Sequence, residues 1–563
     1  MEKALIKIVD CGDSAVSVRF PQEISPKVHS MVMGCFEVIR QAGIPGVLGA
    51  APAYASVLVR FDPLVTDGEA VKDALAVILT EQKIAAPSHG TGRVVEIPVC
   101  YGGEYGPDIE NVMSHTGLGR DSLVGLHTGN DYPVHMIGFT AGFPYLGGMD
   151  ERLAAPRLAL PREHIAAGSV GIAGGQTGMY SVDSPGGWQI IGRTPLRLFD
   201  PDREEPFMIK AGDRVRFVSI TEEEFIELEA KAYARARRKQ EAAKSAPKAG
   251  KHAARESVTV TSPGPFTTVQ DAGRHGHVAS GLSGCGPMDP YALDLGNELL
   301  GNAPNAAGLE ATLRTPGLKF SSDTYLCITG GYCEPRLKGS GKTLQMNEVI
   351  PVKAGSELLP APVKLGCRTY FTFAGGIDVP EVLGSRSTDS RAMIGGVSGG
   401  RKLEEGDVLP LGSAESWPVK LVDTSHRNLS QLGAAVKILF ITKGPQFEDL
   451  SEEAVRTFTT DEYTVSTSSD RMGTRFDGPA LTFAGKADGN IITDGVLPGA
   501  IQIVPSGKPI LMNADAQVSG GYSKPFWLAS VSKSAAAQLR PGDKVRFVLI
   551  STGEAVRRYR ESR

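Results

Sequence analysis

Residues 211–220 read AGDRVRFVSI, and residues 541–550 read PGDKVRFVLI. Each sets a Gly-Asp pair ahead of a run that alternates polar and apolar residues, the period of a half-buried strand. Glycine tolerates the positive φ of a tight turn, so each pair is expected to deliver the chain into a closing barrel strand. A weaker copy of the same ending, EEGDVLPL, occupies 404–411. Reading backwards, the match lengthens: AAGSVGIAGGQTGMYSVDSPGGWQIIG from 166 has its counterpart in LPGAIQIVPSGKPILMNADAQVSGGYSKPFWLASV from 497. Both run through two strands, an Asp, a Gly-Gly-aromatic element and a further strand before the Gly-Asp turn. Two halves built on one β scaffold are therefore expected.

Bulk properties narrow the class. A chain of 563 residues exceeds one core, and at roughly 150 residues per domain it should hold three or four units. Glycine supplies 67 residues, about 12% against a usual share of roughly 7%, which favours many turns and a mainly β fold. The formal charge of −4 provides no field for nucleic acid or an anionic membrane, so neither is expected as a partner. Seven scattered cysteines lack the paired spacings of a zinc site or a disulfide framework and read as buried thiols. With no signal peptide at the start and no run of about 18 apolar residues, a soluble cytoplasmic protein is expected.

Patterning divides the chain into four parts. Residues 1–85 alternate strand and helix periods, in SAVSVRF (14–20), PKVHSMVMGCFEVIRQA (26–42), YASVLVRFD (54–62) and DGEAVKDALAVILTEQK (67–83), as a small α/β domain would. Residues 86–220 are strand-, Gly- and Pro-rich and predict a β-barrel. Residues 221–256 are Ala- and charge-rich, open on the acidic TEEE, and predict a helix followed by a solvated linker. Residues 257–563 return to strands and glycine turns.

The strings PVCYGGEYGPDIENV (98–112) and GFTAGFPYLGGMDERLAAPRLALPREHIAAGSVGIAGGQTGMYSVDSPGGWQIIGRTPLRLFDP (138–201) resemble the B subunit of bacterial ATP-dependent 5-oxoprolinase. That family is also called allophanate hydrolase subunit 1, or the Kip-type kinase inhibitor. SPGPFTTVQDAGRHGHVASGLSGCGPMDPYALDLGNELLGN (262–302), FAGGIDVPEVLGSRSTDSRAMIGG (373–396) and SSDRMGTRF (468–476) resemble the C subunit of the same enzyme. The resemblance covers nearly all of the chain outside 221–256. It implies a fold that is mainly β with an α+β N-terminal part, with cyclophilin-like β-barrel domains duplicated in the second half. It also implies ATP, with magnesium, as the driving nucleotide, and a separate A subunit of the LamB/YcsF type. The same modules resemble the carboxyltransferase part of urea carboxylase, a biotin-dependent enzyme, so fold alone does not choose the reaction.

Opening a lactam with ATP calls for donors to phosphate and a cation for the substrate carboxylate. No Gly-x-x-x-x-Gly-Lys-Ser/Thr phosphate loop is present, so ATP is implied by the resemblance alone. Within GGQTGMYSVDSPGGW, Asp183 and Tyr180 are catalytic candidates, and Gln176, Thr177 and Trp188 are binding candidates beside a glycine-rich backbone. Equally, Asp183 and Ser184 can bond their own turn and Trp188 can fill the barrel. In TTVQDAGRHGH, Asp271 is a catalytic candidate, while Gln270 and Arg274 are candidates for binding, Arg274 as a carboxylate fork. A clasp between Asp271 and Arg274 is the alternative, and His275 and His277, with no third ligand, do not make a metal site. Arg386 in GSRSTDSR, Asp470 and Arg471 in SSDRMG, and Asp515 and Gln517 in NADAQVSGGY complete the binding set. His127 is a general-base candidate, and His135 reads as a core-edge histidine.

Departures from the family strings are few. Ala141 stands where a proline is usual, and Ala516 and Val518 replace an Arg and a Thr next to Asp515. The expected activity is that of a fused B–C component of 5-oxoprolinase. A biotin-dependent carboxyltransferase for urea or a related small amide is the alternative. A Kip-type regulator of a sensor histidine kinase is a further one, but tethering inhibitor to antagonist in one chain argues against it.

Overall fold

The computed structural model describes residues 6–81, 92–158, 160, 162–245, 256–414, 432–485 and 487–563. The connector read at 85–93 and the end of the linker thus fall largely outside the described residues. At the N-terminus, four antiparallel strands order as Lys7–Asp10, Ala15–Arg19, Ser56–Phe61 and Val47–Pro52. Helices Pro26–Gln41 and Gly68–Glu81 cover one face of this sheet, sharing a core that includes Val16, Val57, Val32 and Leu75. Ser25 caps the first helix by accepting from the Val28 amide, and Pro26 fits the first helical turn, where no amide partner is needed.

The region from Val94 to Ser219 closes into a seven-stranded barrel. Its first and last strands, Val94–Tyr101 and Arg214–Ser219, run parallel, in register from Val94 opposite Arg214 to Val99 opposite Ser219. Helices Ile109–Thr116 and Arg120–Thr128 supply Ile109, Val112 and Leu123 to the barrel core. Beyond the barrel, helix Glu222–Ser245 begins with a capping box: the Thr221 amide donates to Glu224 Oε2 (2.9 Å), and the Glu224 amide donates to Thr221 Oγ1 (3.3 Å).

The second barrel repeats the first strand for strand. Val436–Lys443 and Lys544–Leu549 form the parallel pair, and Tyr463–Val465, Gly473–Asp477, Pro509–Met512, Ala500–Ile503 and Ser519–Leu528 complete the ring. Gly168 and Gly499 occupy the same place in the two rings, each with positive φ and each donating its amide to the strand after the hairpin, at Tyr180 and Met512.

Between the barrels, residues 257–411 form two five-stranded sheets rather than a closed ring. Here the closing strand Val408–Pro410 pairs antiparallel with the opening strand Ser257–Ser262. The local turn is nevertheless shared by all three units. Gly212, Gly406 and Gly542 have φ of 89°, 90° and 90°, and Asp213, Asp407 and Asp543 each accept from the amide three residues earlier at 2.8–3.0 Å. The weak third copy thus makes the same turn into a different topology.

The N-terminal unit docks on the second barrel. Asp13 accepts from the amide and hydroxyl of Ser530, both at 2.8 Å, and Trp527 lies against Cys11, Ala15 and Leu58. A Cβ at Gly12 would stand 2.5 Å from the Trp527 ring, so this approach requires glycine. Asp494 bonds the Ser56 hydroxyl across the interface and pairs with Lys524 at 3.3 Å, with the lysine side chain only 1% exposed. Replacing Asp494 by Ala strands that ammonium. Equilibrium denaturation is expected to show a loss of about 3–5 kcal/mol, with most of it recovered in the double variant Asp494→Leu/Lys524→Met.

Candidate functional site

Residues singled out in the first half prove to be mostly structural. His127 is fully buried in the first barrel. One ring nitrogen bonds the Tyr101 hydroxyl (2.7 Å), the other bonds Thr177 Oγ1 (2.9 Å), and the ring stacks on Phe217. Burial holds its pKa down to about 3, and with both ring nitrogens bonded inside the barrel it has a structural place there rather than the expected general-base one. Thr177 is buried, bonded to His127 and donating to the Gly171 carbonyl. Tyr180 and Trp188 pack with Phe143, Ile165 and Ile190, and burial lifts the Tyr180 hydroxyl to about 12. Asp183, the leading catalytic candidate, lies on the surface with its side chain 64% exposed, accepting from the Ala167 amide (2.8 Å) and facing His164. Gln176 donates to the Tyr54 hydroxyl (2.7 Å), tying the barrel to the N-terminal unit.

The second-half candidates form two clasps. Asp271 accepts from the Ser385 and Ser387 hydroxyls (2.6 and 2.7 Å) and the Gly273 and Arg386 amides, which saturates it. Arg274 donates through Nε and Nη2 to the Val382 and Ser387 carbonyls, while its buried Nη1 has no hydrogen bond among the described residues. Gln270 is buried and donates to Thr268 Oγ1, and Arg386 pairs with Asp378 and Glu381. These bonds fix the loop 378–392. Asp470 is exposed and caps its own turn at the Met472 and Gly473 amides.

Arg471 is the centre of the second clasp. It grips Asp515 with two bonds of 2.8 Å, donates to the Gly286 carbonyl (2.7 Å), and reaches Glu310. Asp515 therefore has its cation, despite Ala516 beside it. Arg471 and Arg368 hold Glu310 below the ordinary carboxylate range, whereas burial raises Asp515.

Two of the concavities draw their walls from three units each. A narrow crevice is lined by Thr140, Ala141 and Val182 of the first barrel, Asp389 and Arg391 of the sandwich loop, and Asp515, Ala516 and Gln517. Two of the three departures, Ala141 and Ala516, thus face one crevice. The second is a cavity of about 690 Å³. Its walls come from the N-terminal unit (Ser14, Arg60, Asp62), the sandwich (His275, Asp289, Tyr291) and the second barrel (Ser530, Lys533, Gln538). Of these, only His275 stands out in the sequence. Arg60 had a signal: it is a lone cation in SVLVRF, a strand whose other positions are all buried. Among the described residues, no group of three His, Cys, Asp or Glu is placed to hold a metal. No helix among them is long and apolar enough to cross a membrane.

The carboxyltransferase domain, subdomains C and D, matches residues 6–209, and its subdomains A and B match residues 280–549. The 5-oxoprolinase B subunit of Bacillus subtilis is 43% identical over 229 residues, covering 39% of this chain and 95% of the relative. The 5-oxoprolinase C subunit of Escherichia coli is 36% identical over 296 residues, covering 52% of this chain and 91% of the relative. The chain belongs to the carboxyltransferase-domain family of the 5-oxoprolinase B and C subunits. A urea amidolyase from Lachancea kluyveri is 33% identical over 324 residues, but these span only 17% of that protein. The solved structure of TTHA0988 superposes with a TM-score of 0.79 at 29% identity, covering 95% of this chain and all of that one. In family terms the large cavity takes Ser14, Arg60 and Asp62 from the region of subdomains C and D. Asp289, Ser530 and Lys533 come from that of subdomains A and B.

His127 and His135, both held neutral at about 3 by burial, set an acid limit on stability. Below pH 6.5 the unfolded chain protonates both rings and the folded chain neither, so stability is full above 6.5 and falls toward 3. The slope is about 1.4 kcal/mol per pH unit for each ring. Denaturation at stepped pH between 6.5 and 5 is expected to give a slope lower by about one proton in His127→Gln.

Proposed function

We propose that this chain is the fused B–C component of an ATP-dependent 5-oxoprolinase, opening 5-oxoproline to glutamate together with a separate A subunit of the LamB/YcsF type. The observation that carries this reading is that the cavity of about 690 Å³ is composite. Its wall is built by two halves, one similar to the B subunit, the other to the C subunit, so either half alone leaves it open. Joining them in one chain keeps the two walls together at any protein concentration.

The reaction asks for an activated lactam oxygen and a positioned water in a place where bulk water is restricted. ATP, when bound, supplies the phosphoryl group, and magnesium would arrive on its phosphates. The chain's own part is to hold a small ring acid within a cavity large enough for it. Asp62, Asp289 and the hydroxyls of Ser14 and Ser530 are among the polar groups on its walls.

Purified chain mixed with ATP and the A subunit is expected to release phosphate only when 5-oxoproline is present, with glutamate formed in step. A mixture in which phosphate release ignores 5-oxoproline sinks the reading. The urea amidolyase relative favours one rival, transfer of carboxylate from carboxybiotin to urea. That rival predicts urea-dependent discharge of carboxybiotin by this chain without the A subunit.

A further inference from the structure

Arg60 and Lys533 face the large cavity from opposite halves of the chain, and neither side chain has a hydrogen bond or ion pair among the described residues. Both are partly buried. A cation drawn out of water normally finds a carboxylate, because the cost of leaving it unpaired is several kcal/mol.

The neighbouring carboxylates are already engaged. Asp13 accepts from the Ser530 amide and hydroxyl. Asp289 accepts from the Ala292 amide, Ser534 and Gln538. Asp62 caps the Leu64 amide, and Asp294 faces Arg563 at 3.6 Å. Arg563 itself lies across the rings of Tyr291 and Tyr559, which fixes it as a wall. Burial lowers both cations, and the attraction of Asp13 for Lys533 and of Asp62 for Arg60 does not offset it; Arg60 also lowers Lys533 and His275, so the positive groups converge on one space.

We propose that Arg60 and Lys533 form a binding subsite for the oxyanion of a small ligand, a carboxylate or a phosphate, at the seam between the two halves. The anion would relieve the repulsion between the two cations and complete a pairing that the protein leaves open. Arg60 offers a planar fork and Lys533 a compact charge, a combination suited to an oxyanion with two or three exposed oxygens. The subsite is defined by the cavity and its cations and holds whichever reaction the family fold serves here.

The test titrates the full chain calorimetrically with inorganic phosphate and with 5-oxoproline, using the uncharged lactam 2-pyrrolidinone as control. At least one oxyanion is expected to bind once per chain, and 2-pyrrolidinone far more weakly. Binding of phosphate alone identifies a phosphate subsite, of 5-oxoproline alone a carboxylate subsite, and of both a shared one. Arg60→Gln and Lys533→Met should each weaken binding about tenfold or more, with Arg60→Lys retaining most of it. In the unmutated chain, the bound oxyanion should also slow acylation of Lys533 relative to the exposed Lys544, which tests the site without any variant. The proposal is overturned if neither oxyanion binds, if folded variants bind as the parent does, or if Lys533 acylation is unaffected by a bound oxyanion. Neither the A subunit nor ATP turnover enters these measurements, so their failure is distinct from failure of the 5-oxoprolinase reading.

Discussion

A guanidinium withdrawn from water must have its donors met, and Arg471 meets that demand with acceptors drawn from two units. Glu310 and the Gly286 carbonyl belong to the sandwich, and Asp515 belongs to the second barrel. Sliding one unit against the other would strand a buried charge, so the pairing sets their relative position. The same logic recurs where Asp13 meets Ser530 and where Asp494 meets Ser56 and Lys524, and these fix the N-terminal unit on the second barrel. The composite cavity exists because these three clasps hold its walls in place.

The duplication rests on local chemistry that repeats almost without change. Each Gly-Asp turn needs a positive φ, which glycine adopts freely, and a carboxylate to cap the preceding turn. That pattern is short, so it was legible, and so was the alternation of the strand it introduces. The partner of that strand is decided at long range. In the barrels it lies parallel to the first strand, whereas in the sandwich Val408–Pro410 lies antiparallel to Ser257–Ser262. Identical turns thus deliver strands to different partners, because pairing depends on which apolar faces meet.

Among candidate residues, the glycine-flanked polar groups drew attention for a sound reason, yet most serve the fold. Asp271 holds a loop through two hydroxyls and two amides, and His127 sits between Tyr101 and Thr177 inside a barrel. A motif dense in polar residues and glycine marks a tight corner as readily as a ligand site, since both require backbone approach and satisfied donors. Asp515 and Gln517 do reach a crevice, but one that also needs residues from the first barrel and the sandwich loop.

Arg60 and Lys533 belong to the short strings SVLVRF and SVSKSAAAQ, where the one mark is that Arg60 is the lone cation of an otherwise buried strand. Their significance lies in having no hydrogen bond or ion pair among the described residues, and that is a property of the docked units. By itself the sequence determined the strands, the helix caps, the three Gly-Asp turns and the family, because those depend on φ preferences, alternation and contacts within a few residues. Only the tertiary structure decided which charges were spent on clasps and which were left facing open space. Burial and pairing are settled between segments hundreds of residues apart.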